Sequence, residues 1–290
     1  MFTSGDLWSG AVVPLVITTA ILTIGWRATR RRLGARESRS WAGPLAVGAG
    51  FAGGYWSLFG WGEFPPLDVT EWLFFLTFPL VVLGSFDALL RFPLHGRLAA
   101  SLAAALMAVF LLSWPVVATD DGFQRETALV IALGALVSVG CVTSLEALAV
   151  RVSGARLSAI LLAAAIPASM TLALSGSQRL GQTAGVLAAT QAGTLVASLI
   201  LGRAAVGRAT VLIFVILYSG LLLCGCVYAG LTATNALILF LAPNMAWLAW
   251  RWTGRFGTWH ERLAQVSLVV AVAMIAVFRA WQSFAVEVAS

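Results

Sequence analysis

Two acidic residues lie inside the apolar stretches of this chain and are its first candidates for chemistry. Asp87 and Glu146 both stand near the end of such a stretch, where an ionisable group in a membrane is costly and marks a functional hypothesis. Asp87 stands four residues before Arg91, a spacing that allows an ion pair on one helix face and favours a structural role. Glu146 has Arg151 five residues on, which is poorly placed to pair. If the two acids face each other, they could bind a proton or a cation.

A polar stripe is predicted on the seventh apolar stretch. Thr190, Thr194 and Ser198 recur every four residues, with Gln191 beside them. Residues four apart share one face of a helix. Such a stripe is typical of hydrogen bonds between membrane helices. The sharper interpretation is that Thr190, Gln191 and Thr194 form one wall of a polar pathway.

Proline adds a third group of candidates. Pro167 and Pro243 are the most central prolines of the apolar stretches, and Asn244 follows Pro243. An interior proline frees the carbonyl one turn earlier and can kink the helix. Kinked or broken helices near the midplane form binding sites in many secondary transporters. We therefore add Pro167, Pro243 and Asn244 to the candidate pathway of a substrate or an ion.

The remaining residue types limit the chemistry. All 18 basic residues are arginine, which excludes a lysine Schiff base and a lysine-dependent phosphate loop. Cys141, Cys224 and Cys226 lie in apolar stretches, and helix positions two apart point in nearly opposite directions, so we predict packing roles. His95 and His260 fall in connections. We expect no metal, no cofactor and no catalytic residue.

Membrane helices must position these residues. The 290 residues are 60% hydrophobic and 10% charged, with a mean hydropathy of +0.93, whereas an average soluble domain is about 25% charged. This composition excludes a soluble enzyme and a disordered protein. Most of the ten apolar stretches are long enough to cross a bilayer as helices. They cover residues 8–26, 42–61, 72–90, 98–118, 127–150, 157–175, 184–201, 209–231, 236–250 and 263–281.

The sequence thus predicts an all-α, polytopic integral membrane protein with about ten transmembrane helices. The ninth stretch is the shortest, and with the eighth it could form a tight hairpin or include a re-entrant piece. The connections are short, so residues 1–290 are expected to form a single transmembrane domain without a soluble domain. Because residues 127–207 contain no Phe, Trp or Tyr, we expect spans five to seven to form the packed centre. Spans one to four, nine and ten would lie at the periphery.

The charges predict an orientation. Fifteen of the 18 arginines fall in the odd-numbered connections, and eight acids fall in the even-numbered connections and the tails. The positive-inside rule then places the arginine-rich loops in the cytoplasm and both termini outside. Arginine and alanine in place of lysine indicate a GC-rich genome, hence a bacterial cytoplasmic (inner) membrane. The net charge of +6 reflects this orientation and implies no nucleic-acid partner.

Three functions remain open. The first is a small-solute transporter or permease, which should show a solvent-reaching cavity at Glu146, at Gln191 or at the two proline kinks. The second is a non-catalytic subunit packed within a larger membrane complex, which a closed interior would favour. The third is a lipid-active enzyme, which the missing motifs disfavour. The expected partner is the lipid bilayer, with other membrane subunits or a homo-oligomer as further options.

Overall fold

The protein is a bundle of helices. The computed structural model describes residues 8–33, 41–62, 64–66, 68–90, 92–119, 125–202, 207–253 and 258–289. Every long element in these ranges is helical, which confirms the predicted all-α, polytopic class. The helices are α1 (Val13–Leu33, after a π-helical turn at Trp8–Val12), α2 (Ala42–Phe59), α3 (Val69–Leu90), α4 (Leu94–Thr119), α5 (Arg125–Ala149), α6 (Gly154–Leu174), α7 (Gln178–Leu201), α8 (Arg208–Tyr228), α9 (Ala233–Leu241), α10 (Met245–Thr253) and α11 (Thr258–Ala289).

Nine helical segments among the described residues are long and apolar enough to cross a membrane. They are α1, the helices from α3 to α8, the α9–α10 pair and α11. The second predicted span, α2, is not among these nine. It contains five glycines, which lower its mean hydropathy. Three contacts show that it runs antiparallel to α1 along its whole length: Gly10 packs on Leu58, Gly54 on Pro14, and Gly25 on Ala42. α2 therefore traverses the same thickness as α1.

The glycines of α2 bring it close to its neighbours. A methyl group on Gly50 would overlap the hydroxyl of Thr18 on α1, and one on Gly48 would overlap Val81 on α3. Glycine permits this approach because it has no Cβ. α2 is therefore largely buried, and its predicted peripheral position is wrong.

The helix at the centre of the bundle is α8. In its candidate span 78% of the residues are buried, against 61% in α6, 56% in α7 and only 33% in α5. The predicted packed centre is thus right for α6 and α7 and wrong for α5. α8 has the highest mean hydropathy of the nine segments, and a helix that is apolar all round is a buried one.

The ninth span crosses the bundle and does not re-enter. α9 and α10 are joined by a single 3₁₀ turn, Ala242–Asn244, and together they form a candidate span, Ala233–Trp252. Asn235 at one end accepts a hydrogen bond from Arg279 Nε at 3.1 Å. Trp250 at the other end stacks on the guanidinium of Arg151.

Successive helices alternate in direction, so their connections gather at two ends. The end that carries Arg97, Arg151, Arg156, Arg208 and Arg262 is called the arginine end below. Here Arg156 of α6 pairs with Glu261 of α11 at 2.6 Å. The opposite end, which carries Asp68 and Glu71, is called the acidic end.

Candidate functional site

A cavity opens at the arginine end, between α4, α5 and α8. Its volume is about 150 Å³. The residues that line it are Leu94, Arg97, Leu98, Ser101, Thr143, Glu146, Ala147 and Arg208. The cavity thus reaches Glu146, the acid singled out from the sequence.

Short connections bring these side chains together. α3 ends at Leu90 and α4 begins at Leu94, so Asp87 and Arg97 are held on either side of one tight turn. The N–H of Arg97 donates to the carbonyl of Pro93 at 3.0 Å, which closes the first turn of α4. Arg208 is the first residue of α8. Two helix N-termini, which carry partial positive charge, therefore lie beside the acids.

Arg97 connects the last turn of α3 to the first turn of α4. Its Nε lies 3.4 Å from Oδ1 of Asp87 and donates to the carbonyl of Phe92 at 2.9 Å. The expected partner of Asp87, Arg91, lies outside the described residues. The described partner comes from the next helix, which the four-residue spacing did not indicate.

Glu146 and Asp87 belong to one electrostatic cluster. Glu146 interacts with the charges of Asp87, Arg97 and Arg208, and Asp87 likewise interacts with both arginines. The two predicted acids therefore lie within electrostatic range of each other, and of the same two arginines. We call these four residues the charge cluster; Arg97 and Arg208 were read from the sequence as orientation signals only.

The charge cluster contains two carboxylates and two guanidinium groups. Its formal charges cancel, since each carboxylate is matched by one guanidinium group at the edge of the bundle. A proton or cation that binds Glu146 at the cavity wall would leave a net positive cluster, which favours an anionic group nearby. The arrangement thus offers a carboxylate to a proton or cation and guanidinium groups to an anionic group.

The polar residues of α7 lie elsewhere. Thr190, Gln191 and Thr194 are fully buried and do not line the cavity. Thr190 donates to the carbonyl of Val186 at 2.8 Å, and Thr194 donates to the carbonyl of Gln191 at 2.7 Å. Gly193, on the same helix, packs on Leu15 of α1. These three side chains are therefore packed between helices and lie apart from the cavity.

The proline break at Pro243 is also closed. Pro243 lacks the N–H that would bond to the carbonyl of Leu239, and the hydroxyl of Tyr218 donates to that carbonyl at 2.8 Å. Nδ2 of Asn244 donates to the carbonyl of Phe240 at 3.3 Å. The backbone stays right-handed helical through the turn. The break is therefore a packed kink and does not provide an open binding site.

Pro167 is buried within α6, whose helix continues past it. The hydroxyl of Thr171 donates to the carbonyl of Pro167 at 2.8 Å. Pro167 does not line the cavity. Of the predicted pathway residues, only Glu146 does so, with Asp87 beside it in the charge cluster.

A second charged group, missed by sequence reasoning, holds the acidic end together. Arg179 of α7 pairs with Asp68 at 2.7 Å, donates to the hydroxyl of Tyr55 at 3.1 Å, and lies 3.5 Å from Glu71. Its guanidinium also stacks on the ring of Phe59, 5.1 Å from the centroid. The sequence does contain a signal for this group, because Arg179 is the only arginine between the sixth and seventh apolar stretches.

Among the described residues, no three His, Cys, Asp or Glu side chains lie close enough to hold a metal ion. Cys141 and Cys224 are buried and Cys226 is exposed, and all three are free thiols. A comparison with protein-family models finds no match, and a search of curated proteins finds none either.

Proposed function

We propose that this protein is a small-solute permease of a bacterial cytoplasmic membrane, with its arginine end in the cytoplasm. The observation that carries the proposal is the cavity at that end, which Glu146 lines together with Arg97 and Arg208. Glu146 is the group that binds the coupling proton or cation. The arginines provide the charge that holds a second ligand.

The free-energy cost of placing ionisable groups in a membrane-spanning segment supports this proposal. An ionisable group within a membrane span is unfavourable by roughly 2.5–3.5 kcal/mol at the centre, and such groups usually serve an ion or substrate pathway. Asp87 and Arg97 offset each other directly. Glu146 lines the cavity and forms no ion pair with another described residue. A purely structural role for Glu146 would instead favour a direct pair.

The size of the cavity indicates the size of the ligand. About 150 Å³ corresponds to roughly five water molecules at about 30 Å³ each. A solute of a few heavy atoms, or a partly hydrated cation, fits this space.

The proposal is tested by measuring whether an added solute drives the movement of ions across a membrane that contains the protein. The protein would be reconstituted in liposomes that contain a pH-sensitive dye, and a panel of small solutes would be added from outside. We expect at least one solute to change the internal pH, and Glu146→Gln to abolish that signal.

The matched control is Gly140→Ala, on the same helix, where an added methyl group meets nothing within 4 Å. It should leave the signal unchanged. An unchanged signal in Glu146→Gln would remove this residue from the mechanism. A panel with no response, repeated with sodium-sensitive and potassium-sensitive dyes, would favour the second candidate.

The second candidate is a non-catalytic subunit of a larger membrane complex. It is favoured by the closed interior, in which Pro243 and Gln191 are buried and Asn244 contacts Cys141 of α5. This candidate predicts that Glu146→Gln leaves ion movement unaffected. It also predicts that the protein extracted in mild detergent migrates well above its monomer mass.

A further inference from the structure

Arg208 lines the cavity and is exposed at the start of α8. Its side chain forms no hydrogen bond or ion pair with another described residue, whereas Arg156 and Arg179 each pair with an acid. A guanidinium group carries several N–H donors and no acceptor. The donors of Arg208 are therefore available to a ligand in the cavity.

Arg97 provides a second guanidinium group in the same wall. Its contacts with Asp87 and with the carbonyl of Phe92 both involve Nε. Among the described residues, none forms a hydrogen bond with its two Nη atoms. Two cationic side chains, one from α4 and one from α8, can therefore donate to a single ligand.

The rest of the cavity wall suits a small ligand with a polar end. Ser101 and Thr143 line it and carry hydroxyl groups, whereas Leu94, Leu98 and Ala147 are apolar. The first turn of α8 lies at the same wall, and the N-terminus of a helix favours negative charge. A negatively charged group is therefore the polar end that this wall favours.

The same groups disfavour a metal cation at Glu146. Arg97 and Arg208 line the cavity with it, and like charges repel each other at close range. A Ca²⁺ or Mg²⁺ ion also needs a shell of oxygen ligands, and no three acidic, His or Cys side chains of the described residues lie close enough to hold a metal ion. A proton needs only the carboxylate itself, so the proton is the coupling ion that fits this site.

Charge relates the proton to the anion. The carboxyl group of Glu146 is acted on from three other helices, whose charged residues are Asp87 on α3, Arg97 on α4 and Arg208 on α8. An ionised Glu146 repels an anion that enters the cavity, whereas a protonated Glu146 does not and leaves the charge cluster net positive. Anion and proton therefore favour each other's binding, and each raises the affinity for the other by the same factor.

We infer that the cavity binds a small monovalent oxyanion, such as a carboxylate of a few heavy atoms, together with a proton on Glu146. Arg97 and Arg208 hold the anion. Protonation of Glu146 removes the negative charge that would repel it. The inference rests on the proposed permease function and names the class of its solute: a small anion that moves with a proton.

Matched pairs of probes test this inference by binding alone. Formate, acetate and propionate would each be compared with the corresponding amide, which has nearly the same shape but no charge. The purified protein in a neutral detergent would be titrated by calorimetry at a mildly acidic and a mildly alkaline pH, in buffers of different ionisation enthalpy, so that proton uptake is measured with binding.

We expect at least one carboxylate to bind, and its amide not to bind. At the alkaline pH, where Glu146 starts ionised, each bound anion should take up about one proton, and the affinity should be lower than at the acidic pH. Failure of all three carboxylates to bind, equal binding of the amides, or binding without proton uptake would overturn the inference.

Two substitutions separate the roles of the acid and the arginine. Glu146→Gln imitates the protonated acid, so it should bind the anion without proton uptake and at least ~10-fold more tightly than the wild type at the alkaline pH. Arg208→Gln should weaken binding at least ~10-fold, because a charge-assisted hydrogen bond is lost. Weaker binding in Glu146→Gln would overturn the inference.

The control for Arg208→Gln is Arg262→Gln. Arg262 is an exposed arginine at the same end of the bundle, on α11, and it does not line the cavity. This variant loses the same charge and should keep the wild-type affinity. Equal weakening in the two variants would show that the surface charge of this end attracts the anion, which overturns the assignment to the cavity.

An anionic lipid headgroup offers the same oxyanion chemistry as a free solute. Leu94 and Leu98 line the cavity and are exposed at the surface of the bundle, so a lipid can approach it. The titrations would therefore be repeated in micelles that contain phosphatidylglycerol or phosphatidylcholine. We expect equal carboxylate binding in both. Loss of binding only with phosphatidylglycerol would assign the cavity to a lipid phosphate and overturn the solute class.

Failure of this inference can be told apart from failure of the proposed function. Anion binding with proton uptake, in a protein that moves no ions across liposomes, would reject the permease and retain the anion site. Proton movement driven only by uncharged solutes would retain the permease and overturn the anion as its solute.

Discussion

The hydroxyl of Tyr218 donates to the carbonyl of Leu239 at 2.8 Å, four residues before Pro243. This single bond connects the central helix α8 to the kink of the ninth span. It explains how a proline inside the bundle leaves no open backbone group at the midplane, where each unsatisfied group would cost several kcal/mol.

Tyr218→Phe should therefore lower the free energy of unfolding by about 1–2 kcal/mol, because the carbonyl of Leu239 loses the donor that replaces the missing N–H of Pro243. Thermal unfolding in detergent micelles measures this loss. Pro243→Ala added to the Tyr218→Phe variant should recover stability, since an alanine N–H can bond to Leu239.

Tyr228→Phe is the matched control. Its hydroxyl donates at 2.8 Å to the carbonyl of Leu112, which is not the carbonyl that a proline in α4 releases. We expect a smaller loss there. Equal losses in the two variants would contradict the role assigned to Tyr218.

Gly193→Ala should destabilise the bundle by about 1–3 kcal/mol, as overpacking does. A methyl group at Gly193 would lie 2.7 Å from the backbone oxygen of Leu15 and 2.8 Å from Cβ of Thr18. Backbone cannot move aside as a flexible side chain can, so α1 and α7 must separate. The unfolding temperature of the purified protein reports this change.

Gly140→Ala provides the contrast, because a methyl group there meets open space. Alanine is favoured over glycine in a helix by about 0.5–1 kcal/mol, so this variant should be as stable as the wild type or more stable. A loss of stability at Gly140 similar to that at Gly193 would contradict the packing argument.

Arg179→Lys should loosen the acidic end although it keeps the charge. A lysine ammonium cannot reproduce the planar fork that contacts both Asp68 and Tyr55. Because the side chains of Arg179 and Asp68 are each 37% exposed, the loss of stability should be modest, about 1 kcal/mol or less.

Hydrogen exchange of the segment around Asp68 and Glu71 should accelerate in the Arg179→Lys variant. The control is Arg279→Lys, which perturbs a different contact, to Asn235, and should leave this segment unchanged. Faster exchange in both variants would indicate a general loss of stability and would contradict a local role of Arg179 in holding this segment.

The proposed orientation can be tested by labelling intact cells. Thr234 is exposed near the acidic end, and His260 is exposed at the start of α11 at the arginine end. In a cysteine-free background, a membrane-impermeant maleimide should label Thr234→Cys in intact cells and His260→Cys only after permeabilisation. The reverse pattern would place the arginine end outside.

Much of the fold could be predicted because a bilayer imposes simple rules on sequence. Its apolar stretch predicted α2 as a span, and the alternation of the arginines agreed with that count, although α2 is not among the nine candidate segments. The centre of the bundle was harder to predict. We used small residues to locate it, whereas α8 is central because apolar side chains cover all of its faces.

The candidate site could be predicted only in part. Asp87 and Glu146 were identifiable because acids are rare in apolar stretches. Their neighbours Arg97 and Arg208 come from other helices, and no local spacing relates them.

The central position of α8 also bears on how the chain assembles. α8 contacts helices on both sides of it in the sequence, from α2 and α3 to α9, yet it is synthesised only after residue 207. Until then α3 and α5 lack one of their main packing partners, whereas α1, α2, α6 and α7 already have one another. We therefore expect the half of the bundle formed by α3, α4 and α5 to complete its packing only after α8 has been synthesised.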